Sequence, residues 1–458
     1  MGRSRSLVAG AALLGGLAGL SVIGGPARAF DVCPDDPGLK LKEDGASPGY
    51  LLLAPYEQQY TYLVNLDGKV VHQWRTSTRP GNSQLLSDRG ELVRAGNLEL
   101  GGGFTGGRGA GGRLEALSWD GRTLWQRDFA NRNEMQHHQI DLMPNGHVLA
   151  IAWERITEQA ALAAGRDPKL IAHHELWPDK IIEYDPVSDR VVWEWRVWDH
   201  LVQDRDPTKP NYVEDVSTRP DRIDLNYALD GATDWNHVNA VDYNPERDEI
   251  VISPRTFSEL WVIDHATTTK QAAGPAGDLL FRWGNPQAYG DAGGKRTLFA
   301  QHDTKWIDPG MPGEGHLILF NNGVRDRPFS SVDEVIPQLD ADGAYVRDPK
   351  GGFAGKIERV YPKSRATDEG EFSAIVSSAQ RLANGDTLIG YGTAGRVLEV
   401  TANGDVAWDY ENPYCALRPT STKRTSAGFP VSQNWFFEVE RYPPDFPGFA
   451  GREKELAR

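Results

Sequence analysis

The chain has 458 residues, 10% of them aromatic, with Gly 49, Pro 29 and Trp 14 but only Met 4 and Cys 2. That length is too great for one ordinary core unless the architecture repeats, and the turn-rich, Trp-rich composition suits an all-β protein better than a helical one. The formal net charge of −15 argues against nucleic acid as a partner, because a phosphate-binding surface needs net positive patches.

The N-terminus reads as a targeting segment. Arg3 and Arg5 precede an apolar, small-residue run from Leu7 to Ile23, and Ala27-Arg28-Ala29 is a small-x-small cleavage site. Residues 1–29 are thus expected to be a signal peptide, 30–49 an N-terminal extension, 50–445 the folded body and 446–458 a C-terminal tail. No adjacent Arg-Arg pair is present, which favours the general export route, and a periplasmic or secreted location is expected. No later stretch is long and apolar enough to span a bilayer. Cys33 and Cys415 lie near the two ends of the mature chain, where export permits either a disulfide or two free thiols.

Along the chain, two units alternate. The first is an apolar strand, a turn with Asp or Gly, and a strand carrying Trp: TYLVNLDGKVVHQW (61–74), RLEALSWDGRTLWQRDF (113–129), KIIEYDPVSDRVVWEWRV (180–197), ELWVID with DLLFRWGN (259–285) and RVLEVTANGDVAWDY (396–410). The second is NSQLLSDRGELVRAG (82–96), HHQIDLMPNGHVLAIAWE (137–154), NHVNAVDYNPERDEIVIS (236–253), QHDTKWIDPGMPGEGHLILFNNG (301–323) and SSAQRLANGDTLIGYG (377–392). Alternating apolar residues around Asp-Gly or Asn-Gly turns make antiparallel hairpins. Hairpins alternating in this way predict an all-β, six-bladed β-propeller with long inter-strand insertions, the second unit innermost in each blade. GYLLLAPY or NWFFEVERY would complete a blade begun at the other terminus. TEQAALAAG (157–165) has helical propensity. The glycine-rich 97–112 segment lacks the Lys-Ser/Thr ending of a phosphate loop and reads as a flexible connection.

Three innermost units open with histidine, at His137–His138, His237 and His302; the corresponding starts of the other two are Ser83 and Ser377–Ser378. In a propeller these imidazoles converge on the axis, where each ring nitrogen needs a partner. Arg255, Arg325, Arg327 and Arg396 follow inner or outer strands. A channel lined by imidazole and guanidinium suits a sulfate, phosphate or carboxylate. His147, His173, His174, His200, His265 and His316 fall in turns or insertions and are expected at the surface. Trp74, Trp125, Trp193, Trp195 and Trp408 are expected to pack between blades.

WNHVNAVDYNPERDEIVIS, LLFRWGNPQAYG, FAQHDTKW with FNNG, and AQRLANGDTLI…EVTANGDVAWDYENP resemble the bacterial arylsulfate sulfotransferases, over about residues 50–413. The resemblance implies a periplasmic six-bladed propeller that moves a sulfuryl group from a phenolic sulfate ester to a phenolic acceptor, by way of a histidine and without a nucleotide sulfate donor or other cofactor. By motif, His237 and His302 match supporting histidines and Arg325, or Arg327, matches the arginine after Asn-Gly. Asn322 lies in that motif, and Arg255 and Arg396 join it as substrate-binding candidates. The family's sulfate-carrying histidine belongs to the segment written here LIGYGTAGRVLEV, and this chain has no histidine after His316. The nucleophile is then His137 or His138, or transfer between bound donor and acceptor is direct. Two alternatives stand beside these: a channel that binds an anionic aromatic or sugar ligand without chemistry, and a metal-assisted chemistry with channel histidines and Asp303 as ligands. The oligomeric state is not fixed by the sequence.

Overall fold

A computed structural model describes residues 36–99, 103–104, 107–227, 232–349, 351–363, 372–415 and 432–457. Cys33 and the whole signal-peptide reading lie outside these residues. Cys415 is buried and has no free thiol.

Among the described residues, six antiparallel sheets of four or five strands ring an axis. The first four blades run in chain order and span residues 79–128, 134–196, 238–283 and 302–361. The fifth spans residues 378–411. The sixth is built from both ends: Phe436–Tyr442 pairs with Tyr50–Pro55, followed outward by Tyr60–Val64 and Val70–Arg75. GYLLLAPY and NWFFEVERY therefore complete one another. Gly38–Lys42 adds a fifth strand to the outer edge of the fifth blade, so the ring is tied by two separate pairings of early with late chain.

The hairpin pattern of the sequence is the mechanical cause. In NLDGK, Asn65 Oδ1 accepts from the backbone amides of Asp67 and Lys69, both at 3.0 Å, and Gly68 takes φ +75°, a conformation glycine adopts without steric cost. The fourth blade departs from the pattern: its outer strands, Ser331–Pro337 and Gly355–Tyr361, carry no Trp and are separated by a long insertion. TEQAALAAG does form a helix, Glu158–Ala164, capped by Thr157 and ended by Gly165 at φ +103°.

Packing follows the tryptophans. Trp74, Trp195 and Trp408 are essentially fully buried on outer strands. Trp74 Nε1 donates to Ser118 O of the first blade and Trp408 Nε1 to Leu66 O of the sixth, so each ring also holds its blade to the next.

The innermost strands, Arg79–Leu86, Glu134–Leu142, Val238–Asn244, His302–Trp306, Ser378–Arg381 and Phe436–Tyr442, touch in this order around the axis. Each is a sheet edge whose amides would be orphaned. Side chains of neighbouring inner strands accept them instead: Val241 N donates to Gln139 Oε1, Trp306 N to Asp242 Oδ2, Ala379 N to Asp303 Oδ2 and Val439 N to Ser378 Oγ. This explains why strands at the centre of the molecule carry so many polar residues.

Candidate functional site: a histidine-lined cavity on the axis

One end of this axis opens into a cavity of about 310 Å³ whose wall includes His138, His237, His302 and Arg255. The wall also carries aromatic rings: Phe437, whose centroid lies 5.8 Å from that of His138 and 6.1 Å from that of His302, and Tyr56 stacked on Trp435 at 3.8 Å. Burial pushes the Tyr56 hydroxyl up to about 12, so it stays protonated and can donate.

The histidines reach the axis because the inner strands are irregular where they begin. The pairing register shifts between Pro80 and Gln84, opposite Ala150–Ala152, between Val238 and Val241, and between His302 and Lys305. Asn82, His138 and Asp303 fall within these shifts and His237 and Ser377 stand just before an inner strand, all with positive φ (94°, 54°, 53°, 51° and 88°). For residues other than glycine that conformation costs of order 1–2 kcal/mol each. Bulges of this kind re-aim side chains, and here they turn them toward the axis.

Each imidazole is held at its far nitrogen. His237 Nδ1 lies 2.5 Å from Asp234 Oδ2, and Trp153 Nε1 donates to the other oxygen of that carboxylate. Burial alone would raise Asp234, but His237 beside it brings the carboxyl below its ordinary value. His302 Nδ1 donates to Asn322 Oδ1 at 2.7 Å, and its Nε2 accepts from Val376 N at 3.3 Å. His138 Nδ1 meets His137 Nδ1 at 2.7 Å, and His137 Nε2 meets Asp179 Oδ1 at 2.8 Å. Burial first, then neighbouring charges that include Arg255, hold His138 and His302 well below the ordinary imidazole value; burial brings His137 to about 3. All three are neutral near pH 7.

The remaining residues expected at the site lie elsewhere. His137 is fully buried behind His138, stacked on Trp153 at 3.9 Å. Asn322 is buried and serves His302; its amide donates to Ser373 O and Val376 O. The loop after Asn322 folds back on itself through a Val324–Arg327 bridge, which carries its arginines away from the axis. Arg325 is exposed. Arg327 donates to Phe329 O and Ser331 Oγ and lines a separate groove of about 510 Å³. Arg396 pairs with Asp409 on the adjacent strand. Arg255 is the one arginine of the expected set that borders the cavity. Asp303 is fully buried, with Gln139 Nε2 at 2.7 Å from Oδ1, and among the described residues no group of three His, Cys, Asp or Glu has a metal-holding arrangement. His200, expected at the surface, is fully buried, donating from Nδ1 to Asp278 and stacked on Trp195.

The sequence profile of the Arylsulfotransferase (ASST) family matches residues 42–412. The chain belongs to the arylsulfotransferase family. No curated protein matches it. Among solved structures it is similar to a protein of unknown function from Bacteroides caccae, 14% identical, with 86% of this chain and 98% of that chain covered and a TM-score of 0.44. It is also similar to virginiamycin B lyase from Staphylococcus aureus, 10% identical, with 83% and 87% covered and a TM-score of 0.39. Likenesses this remote carry no functional weight.

Several cavity residues of this arylsulfotransferase-family chain escaped sequence reading. The glycine-rich segment is not merely a connection: Gly107–Ala110 form part of the wall, and Arg108 presents a second guanidinium there. Asp234 stands three residues before His237 in DWNH, a spacing that was visible. Asp179 and Phe437 gave no local signal: Asp179 meets His137 only across the strands of the second blade, and Phe437 comes from the sixth.

Proposed function

We propose that the chain transfers a sulfuryl group from an aryl sulfate to a phenolic acceptor in the axial cavity, after export from the cytoplasm. The observation that carries this reading is the convergence of three imidazoles and Arg255 on one cavity with an aromatic wall. A planar aryl group is bound by stacking and area burial on Phe437, Trp435 and Tyr56. Arg255 and Arg108 take the sulfate oxygens, where negative charge persists through transfer. His237, held by the ionised Asp234, is the group that gives a proton to the departing phenolate and takes one from the incoming phenol.

The test is release of p-nitrophenol from p-nitrophenyl sulfate in the presence of phenol, with the sulfated acceptor identified as product. Arg255→Gln keeps a polar side chain but removes the charge, and should cut kcat/KM by about 10²–10³-fold. Saturable binding of the aryl sulfate with no product would refute the proposal.

A further inference from the structure

We propose that His138 Nε2 is the atom that takes up the sulfuryl group, and that His137 and Asp179 form a buried relay that makes it a nucleophile. This rests on the sulfotransferase reading above and deepens it.

The argument begins with backbone geometry. Consecutive residues of a regular strand point to opposite faces, so His137 and His138 should never meet. The positive φ of His138, 54°, breaks that alternation and brings the two Nδ1 atoms to 2.7 Å. Two ring nitrogens at this distance share one hydrogen. Which ring owns it is decided one step further back, at Asp179. Asp179 Oδ2 is occupied by the amide of Val238 at 2.9 Å, and Oδ1 faces His137 Nε2. Burial, then the charge of Asp234, raises the Asp179 carboxyl, so the relay is set at a pH above that raised value: there the ionised carboxylate only accepts, His137 carries its hydrogen on Nε2 and offers a lone pair at Nδ1. His138 must then donate from Nδ1. Its Nε2 is left with a lone pair.

The ring that carries this lone pair lines the cavity. Among the described residues, His138 Nε2 has no hydrogen-bond partner. The wall beside it is Gly109, where a Cβ would lie 2.2 Å from Nε2. The other two cavity histidines are differently placed: the Nε2 lone pair of His302 points at the Val376 amide, and His237 is tied to the ionised Asp234. The stack of His137 on Trp153 fixes the middle ring of the relay.

The reaction balances through these groups. The Nε2 lone pair attacks sulfur, the N–S bond forms, the S–O(aryl) bond breaks, and the phenolate leaves with a proton from His237. Positive charge on the sulfurylated ring is relieved as the Nδ1 hydrogen passes to His137 Nδ1 and the His137 Nε2 hydrogen to Asp179. Burial and the charge of Asp234 hold Asp179 well above the ordinary carboxylate value, which suits it to receive that proton. In the second half the acceptor oxygen attacks sulfur, the N–S bond breaks, the acceptor's proton goes to His237, and the relay hydrogens return. The sum is one aryl sulfate and one phenol exchanged for the other pair.

The experiment is a trap on the wild-type protein. After incubation with p-nitrophenyl sulfate without acceptor and an alkaline quench, peptide mass spectrometry should find the sulfuryl group on His138. His138→Ala should lose the p-nitrophenol burst, and added imidazole should restore part of the turnover. Asp179→Asn keeps the shape, but its oxygen goes to the Val238 amide and its NH₂ to His137, which reverses every hydrogen in the relay. It should lower kcat by about 10²–10⁴-fold with little change in KM, a split that a merely structural role would not produce. Label on another residue, or a burst retained in His138→Ala, overturns the His138 assignment and leaves the transferase reading standing. A wild-type protein that turns over no aryl sulfate overturns both.

Discussion

Replacing Gly109 with alanine tests whether the glycine-rich segment shapes the active cavity. The added Cβ would lie 2.2 Å from both Nε2 and Cε1 of His138 and 2.6 Å from Cδ2. Carbon atoms in contact settle at about 3.5–4.0 Å, so ring and loop must part by roughly 1 Å or more. If the ring yields, its 2.7 Å bond to His137 Nδ1 breaks, at a net cost of about 1 kcal/mol. The φ of +79° at Gly109 adds about 1–2 kcal/mol for any residue with a Cβ. Together these are too small to unfold a propeller of six blades. A displacement of 1 Å at a reacting centre, in contrast, can cost about 10²-fold in rate. Gly109→Ala should therefore keep its thermal midpoint within a few degrees of wild type, while kcat for p-nitrophenyl sulfate falls about 10²-fold. A folded Gly109→Ala protein with wild-type kcat would refute the geometry, because it would mean that the loop does not press on His138.

Two further expectations concern the scaffold. Glu259 and Arg282 are paired and wholly buried, and Trp261 Nε1 also donates to Glu259; Glu259→Ala leaves a buried guanidinium unmatched and should cost about 3–5 kcal/mol in urea denaturation. Glu438, on the inner strand Phe436–Tyr442, has its carboxyl raised to about 8, by burial first and then by the charge of Asp303. A raised acid stabilises the fold fully below its unfolded value, and that contribution is lost as pH rises through the folded value. Stability should therefore decline from about pH 4.5 to about 8. Glu438→Gln should flatten that decline in urea midpoints taken across the window; an unchanged slope would show that Glu438 does not hold its proton in the folded state.

Much of the ring was legible because each blade is local. Asp-Gly and Asn-Gly turns, two-residue alternation and Trp-bearing outer hairpins recur within short windows, and each device works through neighbours a few residues apart. The fourth blade's outer hairpin was not legible, since residues 338–354 intervene and no Trp marks it. Placing His138, His237 and His302 on the axis needed only the repeat. Assigning the arginines needed more: Arg325, Arg327 and Arg396 follow strands much as Arg255 does, yet only Arg255 borders the cavity, because the loop after Asn322 folds back and Asp409 captures Arg396.

The sequence by itself determined the strands, their turns, the blade repeat and the family, all of which depend on short-range periodicity and contiguous motifs. Only the tertiary structure decided which atoms face one another within and between blades. Asp179 meets His137 across the second blade, Asn322 meets His302 within the fourth, and Gly109 of the first blade meets His138 of the second, because sheet pairing and ring closure bring together residues far apart in the chain. Hydrogen ownership in such a cluster depends on distances of a few ångströms between residues tens of positions apart, and no local pattern of residues encodes that.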